Sequence, residues 1–125
     1  MNLVDSSGWL EYFADDANAD FFATPVEDTS RLVIPTLSIY EVFKRLLQMR
    51  DESQALSAIA LMRQGRVVDL DSSIALQAAK IGIAHGLPLA DSVILATARA
   101  HGATLWTQDF DFDGIDGVEY IAKSK

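Results

Sequence analysis

The sequence predicts an α/β fold in which a central parallel sheet of four or five strands is covered by helices on both faces. Short apolar runs alternate along the chain with longer segments whose apolar residues recur at helical spacing. This alternation is typical of parallel sheets, because each crossover between neighbouring strands carries a helix. The chain has 125 residues, 50% of them hydrophobic, so we expect one domain spanning residues 1–125 with a substantial core.

Five apolar runs are predicted as strands: residues 2–5, 32–34, 67–68, 104–106 and 118–121. Helical spacing predicts helices over residues 9–13, 16–23, 51–62, 73–84 and 88–101, and another that begins at Thr36. The Thr36 helix carries an apolar stripe of Leu37, Tyr40, Phe43, Leu46 and Leu47. A polar break at residues 6–8 and a loop over residues 25–30 separate the first elements.

Three local predictions concern helix ends and one helix surface. Ser72 or Ser73 is expected to cap the helix that reaches Ala84, and Pro88 to open the next one. Gly65 is expected to end the helix over residues 51–62 as a C′ residue. That helix has more apolar side chains than one core-facing stripe needs, so part of its surface is expected to meet another chain.

Composition bounds the possible classes of protein. No apolar run approaches ~20 residues, so we expect no membrane span, and the N-terminus does not resemble a signal peptide. Cysteine is absent, which excludes disulfides and thiolate chemistry and fits a cytoplasmic location. The net charge of −8 argues against a nucleic-acid partner, although acids gathered around a bound cation would weaken that objection.

Four acids lie at the ends or starts of predicted elements: Asp5, Glu41, Asp91 and Asp109. Because ligands of open parallel sheets collect beyond the carboxyl ends of the strands, these side chains are expected to converge. Two like charges ~5 Å apart repel by about 3 kcal/mol at an effective dielectric of ~20. Four converging carboxylates therefore indicate a hard divalent cation, Mg²⁺ or Mn²⁺, beside a phosphate-containing substrate.

Each acid also has an ordinary structural explanation. Asp5 could cap the first helix, and Asp91 could interact with a helix dipole. Ser38 and Glu41 match a capping box, whereas Thr36 as the cap would leave Glu41 free. Asp109 could be a turn residue, or the first residue of an EF-hand-like loop. Calcium binding is disfavoured because position twelve of that loop is a tyrosine and strands flank it.

Four stretches of the chain, in this order, carry a family resemblance: Val4-Asp5-Ser6-Ser7 with Trp9-Leu10; Ile34-Pro35-Thr36 with Tyr40-Glu41-Val42; Leu87-Pro88-Leu89-Ala90-Asp91-Ser92-Val93-Ile94-Leu95-Ala96-Thr97-Ala98; and Leu105-Trp106-Thr107-Gln108-Asp109-Phe110-Asp111-Phe112. The chain resembles PIN-domain ribonucleases, most closely the VapC-type toxins of toxin–antitoxin pairs. The resemblance implies a PIN-like fold and a metal-dependent endoribonuclease that acts on RNA. It also implies a homodimer and a cognate antitoxin partner.

The resemblance further implies roles for individual residues. Asp5, Glu41, Asp91 and Asp109 would form the acidic quartet, with Mg²⁺ or Mn²⁺ held by Asp5, Asp91 and Asp109. Glu41 would hold a second ion or orient the attacking water. Ser6 or Ser7 and Thr107 would be the assisting hydroxyls, and Asp111 matches a further acid found in some members. Gly8, where a larger residue is common, could loosen the start of the first helix, and Gln108 removes a possible phosphate contact.

Two other functions are compatible with the residues. The chain could be a non-catalytic interaction module whose acids are structural and whose surface binds a partner. It could also be a receiver-like domain that handles phosphate through Mg²⁺. The second alternative is disfavoured, since Asp69 and Asp71 are the only candidate phosphoacceptors and Lys123 and Lys125 lie in the tail. Lys44, Arg45 and Arg50 form a basic helix side that could guide phosphates.

Overall fold

The computed structural model describes residues 1–124, in which five strands form one parallel sheet. The strands are β1 (Asn2–Val4), β2 (Leu32–Pro35), β3 (Arg66–Val68), β4 (Thr104–Thr107) and β5 (Val118–Tyr120). Their order across the sheet is β3-β2-β1-β4-β5, and each neighbouring pair is parallel. The predicted parallel α/β fold is confirmed, with five strands.

Six α-helices connect the strands: α1 (Ser6–Ala14), α2 (Ala19–Val26), α3 (Thr36–Met49), α4 (Glu52–Met62), α5 (Ser72–His85) and α6 (Leu89–Ala100). Two short 3₁₀ turns cover Thr29–Arg31 and Phe110–Phe112. The predicted loop over residues 25–30 was wrong at its start, because the buried Pro25 lies in the last turn of α2. The predicted polar break at residues 6–8 was also wrong, since α1 already begins there.

The two faces of the sheet carry separate apolar clusters, as expected for helices on both sides. On one face, Leu3, Val33 and Leu105 pack with α5 and α6. On the other face, residues of alternating register such as Val4 and Ile34 pack with α1, α2, α3 and α4. This alternation follows from the two-residue period of a strand, which directs successive side chains to opposite faces.

The predicted apolar stripe of α3 was only partly right. The buried residues of α3 are Ser38, Val42 and Leu46, which recur every four residues. Tyr40 is 60% exposed and Leu47 is 43% exposed, so both lie on the outer side of the helix. The contact face of α3 is therefore rotated from the most apolar face, because tertiary packing rather than hydrophobicity alone selects the buried side.

Two predicted helix ends were wrong for local physical reasons. Asp71, not Ser72 or Ser73, caps α5, since its Oδ1 accepts a hydrogen bond from the Ile74 amide at 2.8 Å. Gly65 does not adopt the left-handed conformation of a C′ glycine. A Cβ at this position would lie 2.9 Å from Ile34 Cγ1, so the glycine allows close approach to β2.

No single helix among residues 1–124 is both long enough and apolar enough to cross a membrane. By length and composition alone, one pair passes that test together, namely α5 with α6, which are bent by 116° at their junction.

Candidate active site

The topology of the sheet creates a crevice at one edge. The chain runs outward from β1 to β2 and β3, and then returns to place β4 on the other side of β1. A ligand crevice is expected beyond the carboxyl ends of the strands at such a switch in direction. Asp5 directly follows β1, and Asp109 follows β4 by two residues. Asp91 lies in the first turn of α6.

Three carboxylates meet at this edge. Asp91, Asp109 and Asp111 each offer an oxygen, and these oxygens lie within 4.8 Å of one another. The Asp111 amide also donates to Asp109 Oδ1 at 3.0 Å, which fixes the turn that carries both acids. The donor set consists of carboxylate oxygens only, which fits a hard divalent cation such as Mg²⁺ or Mn²⁺. We call these three residues the aspartate cluster.

The charge of the aspartate cluster perturbs Asp91. Partial burial and then repulsion from Asp109 and Asp111 raise the pKa of Asp91 to about 7. Asp5 and Glu41 add smaller repulsive contributions to the same pKa. The fields of the other four acids therefore all act on one carboxylate, as expected if the predicted acids share a crevice.

Asp5 lies outside the aspartate cluster and has a different environment. Its Oδ1 accepts hydrogen bonds from Ser7 Oγ at 2.8 Å and from the Gly8 amide at 3.0 Å. Its Oδ2 accepts from Thr107 Oγ1 at 2.7 Å. Burial nevertheless outweighs these bonds and raises the pKa of Asp5 to about 6. Asp5 thus caps α1 and also, with Glu41 and the aspartate cluster, lines the crevice at this edge of the sheet, which we call the acidic crevice.

Glu41 is held by Ser6, the residue before the serine that binds Asp5. Ser6 Oγ donates to Glu41 Oε1 at 2.7 Å, so each of the two serines contacts one acid. The capping box that was one alternative for Ser38 and Glu41 is wrong, because α3 begins at Thr36 with Pro35 in the cap position. Ser38 Oγ is buried without a hydrogen-bond partner among the described residues. Thr36 is not a cap either, since it is the first residue inside the helix.

Thr107 links the carboxyl ends of the neighbouring strands β1 and β4. Besides donating to Asp5, its Oγ1 accepts a hydrogen bond from the Asp109 amide at 2.9 Å. The next residue, Gln108, is buried and binds α1, because its Nε2 donates to Glu11 Oε1 at 3.2 Å. Gln108 Oε1 also accepts from Asn18 Nδ2 at 3.0 Å. Sequence reasoning missed Glu11 and Asn18, and no motif in the chain marks them.

Gly8 has a packing role that the sequence did not reveal. A Cβ at this position would lie 2.6 Å from Phe22 Cε1 and 2.7 Å from Val4 Cγ1. The glycine therefore lets α1 pack closely on the Phe22 ring while its amide binds Asp5. The expectation that Gly8 loosens the start of α1 was wrong, since the helix already begins at Ser6 and Asp5 caps it.

A groove with several cationic side chains adjoins the acidic crevice. Its volume is about 260 Å³, and its polar lining consists of Ser7, Glu11, Asp16, Arg45, Arg50, Gln108 and Lys123. Arg45 donates to the Gln48 amide oxygen at 3.3 Å. Lys44, the third member of the predicted basic side, instead lies 5.7 Å from the centre of the Tyr40 ring. We call this cavity the basic groove.

The fold and the acidic crevice define a known class of protein. The family model described as PIN domain matches residues 3–118, so the chain belongs to the PIN-domain family. A search of curated proteins found no match.

Several solved structures of toxin proteins are similar to the chain. A toxin–antitoxin complex from Klebsiella pneumoniae matches with a TM-score of 0.80 and 24% identity over 95% of this chain and 96% of that chain. Mycobacterium tuberculosis VapC20, described as a sarcin-ricin loop cleaving toxin, matches with a TM-score of 0.75 and 19% identity over 93% of this chain and 95% of that chain. DNA-bound VapBC from Salmonella typhimurium matches with a TM-score of 0.74 and 16% identity over 98% of both chains. At these identities the likeness establishes the fold.

Proposed function

We propose that this chain is a metal-dependent endoribonuclease that hydrolyses RNA phosphodiester bonds as the toxin of a VapC-type toxin–antitoxin pair. The observation that carries the proposal is the aspartate cluster at the carboxyl edge of a PIN-domain sheet. Carboxylates crowded in this way repel one another unless they bind a proton or a cation. The RNA substrate is supported by the similar fold of VapC20, which is described as cleaving the sarcin-ricin loop.

In this proposal the aspartate cluster (Asp91, Asp109 and Asp111) holds the Mg²⁺ or Mn²⁺ ion. When bound, the cation supplies polarisation of the phosphate and activation of a water molecule. Asp111, whose role the family resemblance leaves open, is favoured as a ligand because its carboxylate lies within the cluster. Asp5 lies outside that group of oxygens. It is proposed to form the wall of the site on the β1 side, where the substrate phosphate enters.

The hydroxyl groups position the remaining acids. Ser7 and Thr107 hold both oxygens of Asp5, so this carboxylate has one orientation in the crevice. Ser6 holds one oxygen of Glu41 and leaves the other to orient the attacking water. The pKa of Asp5, raised to about 6, makes this carboxylate able to accept a proton near neutral pH.

The basic groove is proposed to bind the RNA backbone. A chain with net charge −8 repels phosphates at long range, so the local placement of its cations matters. Arg45 and Arg50 line the groove together with Ser7, whose hydroxyl contacts Asp5. An RNA strand that follows this groove would have phosphates against the arginines and would continue past Ser7 toward the acidic crevice.

The partners and setting follow from the same family assignment. We propose that residues 1–125, of which Lys125 lies outside the described part, act in the cytoplasm as one domain that forms a homodimer and is silenced by an antitoxin. Similar structures include toxin–antitoxin complexes. Apolar side chains available for such contacts include Leu56 and Leu61 on α4, which are exposed.

The experiment is a titration with Mn²⁺ in two readouts, cleavage of a randomised single-stranded RNA pool and thermal unfolding. We expect Mn²⁺-dependent cleavage and a raised Tm, both removed by a chelator. Asp5→Asn should lose most of the cleavage, whereas the exposed acid variant Asp116→Asn should keep it. Full metal-dependent cleavage by Asp5→Asn would contradict the assignment. A pure interaction module would show no stabilisation by Mn²⁺.

A further inference from the structure

Phe110 is an exposed aromatic residue on the turn that carries two acids of the aspartate cluster. Its side chain is 75% exposed, although it stands between two members of the aspartate cluster, Asp109 and Asp111. Water-facing phenylalanine contributes nothing to the core and costs solubility. A single exposed apolar residue is common on protein surfaces, but this one occupies the sequence position that joins two candidate metal ligands.

The backbone holds Phe110 in place. It begins the 3₁₀ turn Phe110–Phe112, in which the Asp109 side chain accepts a hydrogen bond from the Asp111 amide. The Phe112 amide donates to the Asp109 carbonyl at 3.1 Å, and the Phe112 ring is fully buried in the core. The turn is thus fixed at both ends. Phe110 is consequently presented from a rigid support rather than from a loop tip.

One neighbouring ring supports Phe110 from the side. The centre of the Tyr120 ring lies 6.5 Å from that of Phe110, with the ring planes at 75°, an edge-to-face arrangement. This contact restrains the orientation of the ring, while the exposed fraction shows that most of its surface remains accessible. An accessible aromatic face with a fixed orientation is the feature on which unpaired bases stack in single-stranded nucleic-acid sites.

We propose that Phe110 stacks on a nucleobase of the RNA next to the scissile phosphate and so positions that phosphate at the aspartate cluster. The inference rests on the proposed nuclease function and adds a substrate-positioning residue to it. Base stacking tolerates different sequences, because every base has an aromatic face. Phe110 therefore supplies affinity and alignment for an unpaired nucleotide.

The residues around Phe110 favour a base over an apolar protein segment. Its chain neighbours Asp109, Asp111 and Asp113 are acidic, and the last two are exposed, so charged groups flank the ring along the turn. A protein segment docking there would bury carboxylates against apolar groups, which is unfavourable. A nucleobase instead offers an aromatic face to the ring and, at its edge, amino groups that can donate to carboxylates.

The test compares Phe110→Ala and Phe110→Trp in Mn²⁺-dependent cleavage of a randomised single-stranded RNA pool. We expect Phe110→Ala to raise KM about 5- to 100-fold with little change in the Tm increase caused by Mn²⁺. Phe110→Trp should retain the wild-type KM, since it keeps an aromatic face. Ile83→Ala on α5, which truncates a side chain that is 88% exposed, is the matched control and should leave KM unchanged.

A second measurement separates stacking from a structural effect. One RNA cleaved by the wild-type chain is prepared with an abasic nucleotide at each position flanking the cleavage site in turn. One of these abasic RNAs should lose as much affinity for the wild-type chain as Phe110→Ala loses for the intact RNA. The two changes combined should cost no more than either alone, because both remove the same contact.

Each remaining outcome overturns the inference. An unchanged KM for Phe110→Ala, or effects that add fully with the abasic RNAs, would remove the stacking role while the nuclease function stands. Unchanged RNA cleavage together with weakened binding of a protein partner would assign Phe110 to that partner. Absence of cleavage by the wild-type chain despite Mn²⁺ binding would remove the proposed function and this inference together.

Discussion

The two sides of the acidic crevice differ in how many hydrogen bonds stabilise their carboxylates. On one side, Asp5 and Glu41 accept three hydroxyl hydrogen bonds and one amide hydrogen bond from the protein. On the other side, the aspartate cluster brings three carboxylates together, and residues 1–124 supply one amide donor to them. We propose that the hydroxyl-bonded side is positioned by the protein's own hydrogen bonds, whereas a bound cation relieves the repulsion within the aspartate cluster.

The largest expected effect is that of Asp91→Asn, which removes a central charge of the aspartate cluster. Without metal, the variant should have a higher Tm than the wild type, because the repulsion from Asp109 and Asp111 is relieved. At a Mn²⁺ concentration 100-fold above Kd, it should lack the stabilisation of about 2.7 kcal/mol expected for the wild type. Scanning fluorimetry with and without Mn²⁺ measures both, with Asp116→Asn as the control. An unchanged response to Mn²⁺ would contradict the cation requirement.

Thr107→Val tests the hydroxyl-bonded side. The substitution removes the hydroxyl that binds Asp5 Oδ2 and the Asp109 amide, and should cost about 1–3 kcal/mol in the free energy of unfolding. Thr104→Val on the same strand is the matched control, since no side-chain hydrogen bond of Thr104 is present among the described residues. Urea titration gives the free energy of unfolding. The Mn²⁺-induced shift should persist, and its loss in a variant of normal stability would refute the division between the two sides.

The affinity for Mn²⁺ should depend on pH through Asp91. Because the pKa of Asp91 is raised to about 7, binding must displace a proton, and affinity should fall about tenfold between about pH 8 and pH 6. Without metal, the stability of the folded state should change with pH in the opposite direction to this affinity. Protonated Asp91 favours the folded state, so its stabilising contribution is complete below the unfolded pKa and is lost as pH rises through about 7. Calorimetric titration at several pH values measures the affinity, and a flat profile would rule out this linkage.

The smallest expected effects separate the two serines. Ser7→Ala and Ser6→Ala should each cost about 0.5–1.5 kcal/mol, since each removes one partly buried hydrogen bond. Only Ser7→Ala should raise the pKa of Asp5 further, because the Ser7 hydroxyl lowers that pKa. Carboxyl NMR titration distinguishes the variants. Equal shifts of the Asp5 pKa in both would mean that the serines do not serve separate acids.

The sequence predicted the fold more reliably than the detailed contacts of individual residues. Alternating apolar runs were sufficient for the parallel sheet, because strand and helix periodicities are local properties. The capping box of Ser38 and Glu41 was wrong, although its local pattern was complete. Ser6, 35 residues away in the chain, binds Glu41 instead. A local motif gives no information about a competing partner that arrives through tertiary folding.

Residues of small or neutral side chains were the hardest to interpret from the sequence. Gly8 and Gly65 suggested backbone freedom, but both are positions where another element comes too close for a Cβ atom. Tyr40 suggested a core residue of α3 and is exposed. In each case the environment of the residue is set by a distant segment of the chain. The space around a residue therefore cannot be predicted from its sequence neighbours.

The chain alone specified that acids follow β1 and β4 and begin α6, and alternation of elements in a parallel sheet directs these positions to one edge. It did not specify that Asp111 joins Asp91 and Asp109, while Asp5 is held apart by hydroxyl groups. Those groupings depend on distances between segments as much as 102 residues apart, such as Thr107 and Asp5. Such distances are set by the packing of the helices against the sheet, which acts on the whole chain at once.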